Sequence, residues 1–403
     1  MRASFPGYIE EIPGILADNF KPRPIARAYF LSHCHTDHTV GLLDHDFLLH
    51  LSRKVPKTYI HTSKTSAVII ENDGLGTRCP EIMKHIRILE LGDNVVVLPE
   101  DTENDFTEEH LRVTLIPAGH CLGSVMFLFK TATHTVLYTG DFRINTNDLP
   151  KYTQLHETNG NIIKIDTVYM DVTFYNSNLG LGTYIEFPSR KLSVDTMLSK
   201  IKEWLDKDRR NCVSLCVSAR YGYEFLYNKI YEELKLKVYV DDGKWKVYRN
   251  LPEVKGVTNS HQNTRIHVCK KSNRGSHNVN CDPNFTNKNR YLLIYISAML
   301  WSEYEFDCSP YKVVSDGRFD FAFATHCSRS ELDYFMNYLS PAKVVGFVNG
   351  ELKKIEHGKP PTIDVSNSTP PKRRKVLPSP RKVLAGTASS VKVSADVLKK
   401  IFE

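Results

Sequence analysis

Six consecutive residues, His33-Cys34-His35-Thr36-Asp37-His38, place four groups able to bind a metal ion in one short stretch. Imidazole nitrogens and carboxylate oxygens are the donors that zinc and similar divalent ions accept, and a catalytic ion needs three or four of them with one position left for water. In an extended or turning loop His33 and His35 point one way, while Asp37 and His38 are displaced along the chain, far enough to serve a neighbouring ion. The chemistry implied is hydrolysis by a metal-activated water. A His-rich surface loop is the bland alternative, and two further patterns weigh against it. Val113-Thr114-Leu115-Ile116-Pro117-Ala118-Gly119-His120 and Thr135-Val136-Leu137-Tyr138-Thr139-Gly140-Asp141 each run from β-prone apolar residues through a glycine into a coordinating side chain. Glycine there lets the backbone turn sharply and pass close to an ion. Taken singly, His120 would be a satisfied polar group and Asp141 a turn residue; the joint arrangement carries the argument.

The elements that must position these groups are strands. Ala28-Tyr29-Phe30-Leu31-Ser32 is aromatic and β-prone, so the HxHxDH run reads as the loop leaving the end of a buried strand. Gly123-Ser124-Val125-Met126-Phe127-Leu128-Phe129 supplies another, giving the order strand, His, strand, strand, Asp. Ligand-rich loops on a rigid sheet are where chemistry tends to sit.

The set His33, His35, Asp37, His38, His120 and Asp141 resembles the metal site of the metallo-β-lactamase fold, a four-layer αββα sandwich. Longer words narrow the resemblance: Ala118-Gly119-His120-Cys121, Val136-Leu137-Tyr138-Thr139-Gly140-Asp141-Phe142-Arg143, Val168-Tyr169-Met170-Asp171-Val172-Thr173-Phe174, Phe187-Pro188-Ser189-Arg190, Tyr221-Gly222-Tyr223-Glu224 and Thr264-Arg265-Ile266-His267-Val268-Cys269. Together they are similar to the Artemis-like DNA cross-link repair nucleases, in which a smaller α/β β-CASP domain interrupts the sandwich, over about residues 8 to 348. The resemblance implies that His33, His35, His120 and Asp141 hold one ion, that Asp37, His38 and Asp141 hold a second, and that Asp141 bridges. Asp18 matches the acidic motif that braces the HxHxDH loop. The β-CASP positions fall on Asp171, His267 and His326: His326 would complete the second ion's coordination, and Asp171 would orient His267 or a nearby proton donor.

The cofactors implied are one or two divalent ions in the active site, zinc foremost with magnesium or manganese as alternatives, and a structural zinc in the insert held by His267, Cys269 and Cys281. Three departures bear on this. Thr36 stands where the family carries a lysine, Leu122 replaces a proline after Cys121, and Tyr239 occupies the place of the fourth ligand of the structural zinc, for which His277 is the nearby substitute. The reaction that the resemblance implies is metal-dependent hydrolysis of DNA phosphodiesters, leaving 5′-phosphate and 3′-hydroxyl ends: a structure-specific endonuclease on hairpins and overhangs, with 5′ exonuclease activity, in double-strand break or cross-link repair. The alternatives within the fold are a 5′ exonuclease that opens no hairpins, an RNA-processing β-CASP endonuclease and a small-molecule hydrolase such as a thioesterase or lactamase. A non-catalytic DNA-end scaffold has no need to keep all six ligands.

Charge divides with the same boundaries. The net charge is +7, and residues 351–403 hold 12 basic against 5 acidic side chains, so the remainder sums to zero. Within that remainder, residues 186–290 carry 21 basic and 12 acidic groups, whereas residues 1–185 carry 16 and 22. An acidic catalytic half offset by metal, beneath a basic insert, suits a polyanion bound through its phosphates. Arg265, Lys270, Lys271 and Arg274 are the candidate phosphate contacts, and Tyr221 and Tyr223 would stack on splayed bases or pack in the core.

The domain reading is residues 1–175 for the first part of the sandwich, 176–305 for the insert, 306–350 for the second part of the sandwich and 351–403 for a basic, disordered tail. In the insert, Ser189 caps a helix whose apolar face is Val194, Met197, Leu198, Ile201, Trp204 and Leu205. Strands at 212–218, 237–240, 265–269 and 291–296 alternate with helices, which indicates a largely parallel sheet. A strand at 320–325, a helix at 331–339 and a strand at 343–348 are expected to rejoin the sandwich. The tail is rich in Pro, Ser and Lys and cannot bury a core. Its cluster Lys372, Arg373, Arg374 and Lys375 is of the kind read by nuclear import, so the nucleus is the expected compartment, with repair proteins engaging the tail. No apolar run is long enough to span a bilayer and Met1–Gly7 lacks the apolar stretch of a signal peptide. The nine cysteines are scattered, which fits core residues or ligands rather than a disulfide framework.

Overall fold

The computed structural model describes residues 3–100, 110–175, 182–270, 290–305 and 308–355. Four short strands, β1 (Ile15–Ala17), β2 (Ala28–Leu31), β3 (Ile60–Ser63) and β4 (Ile86–Leu89), form one parallel sheet in that order. Helices α1 (His45–Arg53), α2 (Lys64–Asn72), α3 (Gly74–Arg78) and α4 (Ile82–His85) intervene. A second sheet is built from β5 (Gly92–Val97), β6 (His110–Pro117), β7 (Val125–Lys130), β8 (Thr135–Tyr138) and β9 (Thr167–Asp171).

Side-chain alternation explains why these two sheets face each other. On β2, Ala28 and Phe30 join Phe127, Phe129, Tyr138, Tyr169 and Phe5 in a core between the sheets, whereas Tyr29 and Leu31 point the other way, toward Phe47 and Leu51 of α1 and Ile69 and Ile70 of α2. The far face of the second sheet, with Met126, Leu128, Leu137, Val168 and Met170, is covered by Leu332, Phe335, Met336 and Leu339. The result is helix, sheet, sheet, helix: the αββα sandwich of the metallo-β-lactamase fold.

The chain leaves this sandwich after β9. It forms α5 (Arg190–Lys207), β10 (Asn211–Val217), α6 (Glu224–Leu234), β11 (Val238–Tyr239), α7 (Asp242–Tyr248), β12 (Val257–Thr258), β13 (Ile266–Lys270), β14 (Arg290–Ser297), β15 (Tyr311–Ser315) and β16 (Arg318–Ala322). These strands make a third sheet in the order β12-β11-β13-β10-β14-β16-β15, parallel throughout except for the β15–β16 hairpin. Ser189 caps α5 by accepting from the Leu192 amide, and Val194, Met197, Leu198, Ile201 and Leu205 are buried along it. The chain then returns through α8 (Arg329–Leu339), β17 (Lys343–Val348) and β18 (Glu351–Ile355), which extend the second sheet beyond β9.

Two boundaries differ from the sequence reading. Residues 311–322 were expected to revert to the sandwich, but Leu293–Ser297 of β14 pair in parallel with Arg318–Ala322, so this hairpin completes the insert's sheet. Hydrophobic pattern says that a segment is a strand, not which sheet receives it. Glu351–Ile355, expected in the tail, pairs antiparallel with β17 across Val344–Val348. Cys34, Cys79, Cys121, Cys308 and Cys327 are free thiols. No helix among the described residues is long and apolar enough to cross a membrane.

Candidate metal centre

The HxHxDH loop leaves the carboxyl end of β2, His120 follows β6, Asp141 follows β8, and Asp171 ends β9. Strands β6 and β8 are both antiparallel to β7, and β9 is parallel to β8, so these three deliver their last residues to one edge of the second sheet. His326 arrives from the turn between β16 and α8. Two glycines make the approach possible. Gly119 (φ +66°) lies where a Cβ would stand 2.5 Å from the Arg143 carbonyl oxygen, and at Gly140 (φ +52°) it would stand 2.7 Å from Ser32.

Asp141 is the centre of the cluster. Its Oδ1 lies 3.2 Å from Nε2 of His38, and its Oδ2 lies 3.8 Å from Nε2 of His33, 3.6 Å from Nε2 of His120 and 3.9 Å from Nε2 of His326. His35 Nδ1 is 2.9 Å from His120 Nε2, and Asp37 Oδ2 is 3.7 Å from His38 Nε2. The candidate ligand atoms fall into overlapping groups, each within 4.8 Å: His33, His35, His120 and Cys121; Asp18, His33 and His38; His120, Asp141 and His326; Asp37, His38 and Asp141. The thiol of Cys121 was not among the expected ligands.

The opposite ring nitrogens matter as much. His38 Nδ1 donates to Asp18 Oδ2 at 2.7 Å, His326 Nδ1 donates to Asp171 Oδ2 at 2.7 Å, and His120 Nδ1 donates to the Thr325 carbonyl at 2.9 Å. His35 Nε2 donates to the Tyr221 carbonyl at 3.2 Å. Ser32 Oγ gives its own hydrogen to Asp18 Oδ2 and so accepts from His33 Nδ1 at 3.0 Å. Each of five imidazoles therefore has its outer nitrogen tied to a protein acceptor, which leaves the inner nitrogen as the one that would offer a lone pair to an ion, the arrangement by which outer partners orient metal-binding histidines. His33 Nε2 is buried without a hydrogen-bond partner among the described residues, a costly state that a cation would relieve.

Asp18 organises this. Fully buried at φ +49°, it accepts from the Ser32 amide at 2.7 Å and from the Tyr138 hydroxyl at 2.8 Å in addition to Ser32 Oγ and His38. Electrostatics follow from the packing. Burial and neighbouring imidazoles hold His33 and His120 well below their ordinary range, and burial lowers His35. At His38 burial is overridden by Asp141 and Asp18, and at His326 by Asp171 and Asp141, which push His326 up to about 9. Burial would raise the Asp171 carboxyl, but His326 outweighs it and holds the carboxyl low. The buried carboxylates thus demand positive charge, supplied by protons on these two imidazoles or by a metal ion that displaces them.

Other expected site residues lie elsewhere. Asp171 orients His326, not His267. His267 is buried on β13, its ring 5.4 Å from that of Tyr239, and among the described residues it belongs to no group of three ligands. Cys281, Lys271, Arg274, His277 and the Lys372–Lys375 cluster lie outside the described residues, and of Cys269 and Lys270 only the backbone is described. Three DNA-contact expectations are corrected. Tyr221 and Tyr223 are 1% and 4% exposed, packed in the core between sandwich and insert, so neither ring is free to stack on a base. The Arg265 guanidinium donates to the carbonyls of Leu205, Asp208, Arg209 and Asn211, where its charge opposes the negative end of α5.

The class follows from comparison with known sequences: the profile of the DNA repair metallo-beta-lactamase family matches residues 253–351. The chain is 31% identical to protein artemis of Homo sapiens over 382 residues, 92% of this chain and 53% of that protein. It is 30% identical to protein artemis of Danio rerio over 362 residues, 85% and 53% respectively. To 5′ exonuclease Apollo of Mus musculus it is 34% identical over 180 residues, 44% and 28%. The chain is thus an Artemis homologue with a DNA repair metallo-β-lactamase domain, and it spans about half the length of the Artemis proteins it matches.

Proposed function

We propose that this protein is a metal-dependent DNA phosphodiester hydrolase, a structure-specific endonuclease of hairpins and overhangs with 5′ exonuclease activity, acting in double-strand break or cross-link repair. The observation that carries the reading is the set of five imidazoles, each with its outer nitrogen bound to a protein acceptor and its inner nitrogen turned toward Asp141 or its neighbouring ligands. His33, His35, His120 and Asp141 would hold one ion, and Asp37, His38, Asp141 and His326 the second. A nitrogen-rich donor set suits zinc better than magnesium, which takes oxygen ligands. A bound zinc-type ion polarises a phosphate oxygen and acidifies a water.

The remaining work falls to the protein. Asp18 and Asp171 fix the imidazoles, and Asp37, whose side chain is 45% exposed, stands at the open side of the cluster, where substrate enters. The basic insert supplies phosphate contacts that do not depend on base sequence. DNA is the partner, the nucleus the compartment, and the basic segment around Lys372–Lys375 the import element.

A labelled hairpin and a 5′-phosphorylated single strand, incubated side by side with zinc, magnesium or manganese, test the reading. Internal nicks near the hairpin tip are expected, and Asp141→Asn and His35→Ala should abolish them while DNA affinity is kept. Cleavage surviving in either purified variant refutes the mechanism. The match to Apollo and the missing lysine at Thr36 favour a second reading, a 5′ exonuclease alone; stepwise shortening of the single strand with an intact hairpin would select it.

A further inference from the structure

Two of the five histidines take their orienting partner from the insert: His120 from Thr325, just after β16, and His35 from a turn deeper in the insert. The Tyr221 carbonyl that accepts from His35 Nε2 at 3.2 Å belongs to the body of the insert, in the turn between β10 and α6. That turn runs close under the centre: Gly222, at φ +115°, has the His120 carbonyl oxygen, Cys121 and Thr325 within 3.6 Å of where a Cβ would stand. Its peptide is held from both sides. The Gly222 amide donates to Glu224 Oε2 at 2.8 Å, and Tyr248 donates to Glu224 Oε1 at 2.6 Å.

The other hold reaches back to the sandwich. The Tyr221 hydroxyl donates to Asp73 Oδ2 at 3.0 Å and accepts from Arg220 Nε at 3.2 Å, while Arg220 Nη2 meets Asp73 Oδ1 at 2.7 Å. Asp73 lies just beyond α2, where it also accepts from the Gly74 amide at 2.7 Å. Beside it, Asn250 of the insert donates to Asn72 Oδ1 at 2.8 Å. A continuous chain of contacts therefore runs from the end of α2, through the Tyr221 side chain and backbone, to the imidazole of a candidate ligand.

We propose that Asp73, Arg220 and Tyr221 form a latch that couples docking of the insert on the sandwich to metal binding at His35, with Tyr221 as a positioning residue rather than a DNA contact. This rests on the metal-centre reading above and adds where its affinity is set. When the latch is closed, the Tyr221 carbonyl fixes the His35 proton on Nε2 and leaves Nδ1 for the ion. When the latch opens, the ring is free to turn and the first site loses a ligand. Linkage makes the coupling reciprocal: an ion bound at His35 must steady the 219–224 turn by as much as the turn strengthens the ion.

The test uses the full chain with Co(II) alone, followed by visible absorption and by hydrogen exchange. Tyr221→Phe keeps the ring and the carbonyl and removes the hydroxyl. It is expected to weaken Co(II) binding about 10-fold, the scale of outer-partner substitutions. In the unaltered protein Co(II) should slow exchange of the 219–224 amides, and in the Phe variant this protection should shrink. Ile230→Val, which thins the buried face of α6 without touching the latch, should bind Co(II) as the unaltered protein does. Should the Phe variant fail to fold, Arg220→Gln, on a side chain 43% exposed, reads the same coupling. Equal affinity in the latch variants, equal loss in Ile230→Val, or no Co(II) effect on 219–224 overturns the latch. Absence of Co(II) bands in the unaltered protein overturns the metal-centre reading instead.

Discussion

Replacing Asp18 by Asn tests the centre without touching any proposed ligand. The carboxylate accepts four hydrogen bonds at 2.5–2.8 Å, three of them at Oδ2, from Ser32 Oγ, His38 Nδ1 and Tyr138. An amide oriented to keep the Ser32 N–H bond turns its nitrogen toward those three donors. The two hydroxyls can rotate and accept instead, but His38 Nδ1 can accept only by surrendering its proton, which moves to Nε2, the atom that faces Asp141. The inward lone pair of one ligand is lost. Outer-partner losses of this kind weaken metal binding about 10- to 100-fold, or about 1.4–2.8 kcal/mol. Imperfect pairing at a fully buried site costs about 1–3 kcal/mol of folding stability as well. Backbone strain is not a confounder, because Asn tolerates the φ of +49° that Asp18 adopts. Competition with a chromophoric zinc chelator gives the affinity, and urea unfolding with and without zinc gives the stability. Zinc affinity within twofold of the unaltered protein would refute the claim that Asp18 sets the His38 tautomer.

His61, stacked on Phe30, is held down to about 4 by burial and by Arg87. A folded value below the unfolded one of 6.5 makes stability fall as pH drops from 6.5 toward 4, by about 3 kcal/mol at about 1.4 kcal/mol per pH unit. His61→Phe should flatten the urea-unfolding profile over that window, and an unchanged slope would contradict the buried neutral ring. Gly140→Ala should cost more than the roughly 1–2 kcal/mol of a left-handed non-glycine residue, because its Cβ meets Ser32 at 2.7 Å; thermal melts at wild-type level would disprove the close approach. Arg143 pairs with Glu331 at 3.1 Å and donates to the Ala324 and Pro188 carbonyls. Arg143→Met, which leaves the Glu331 carboxylate, 11% exposed, with its Ser328 amide contact but without Arg143, should lose about 1–3 kcal/mol in urea unfolding; a loss under about 0.5 kcal/mol would show that the pair is dispensable.

The parts of the centre that were legible in the sequence are those in which residue type and strand end coincide. His33, His35, His38, His120 and Asp141 each follow an apolar run, and the order of runs is enough to bring them to one edge. What stayed hidden has a common cause: sequence displays side-chain chemistry but neither its direction nor the backbone. Arg265 and Tyr221 carry groups that could meet DNA, and both are turned inward, one onto helix carbonyls and the other into the α2 end. The acceptors that orient His35 and His120 are main-chain oxygens of Tyr221 and Thr325, which no residue type announces. Nor does hydrophobic pattern say that β16 belongs to the insert's sheet, although that placement decides how the centre is built. Because β16 ends in the insert and its next residues supply the Thr325 carbonyl and His326, while Tyr221 enters from the β10–α6 turn, the insert contributes one candidate ligand and orients two others. A sandwich deprived of its insert would keep His33, Asp37, His38 and Asp141 but lose the partners of His35 and His120. The insert is therefore part of the candidate metal centre.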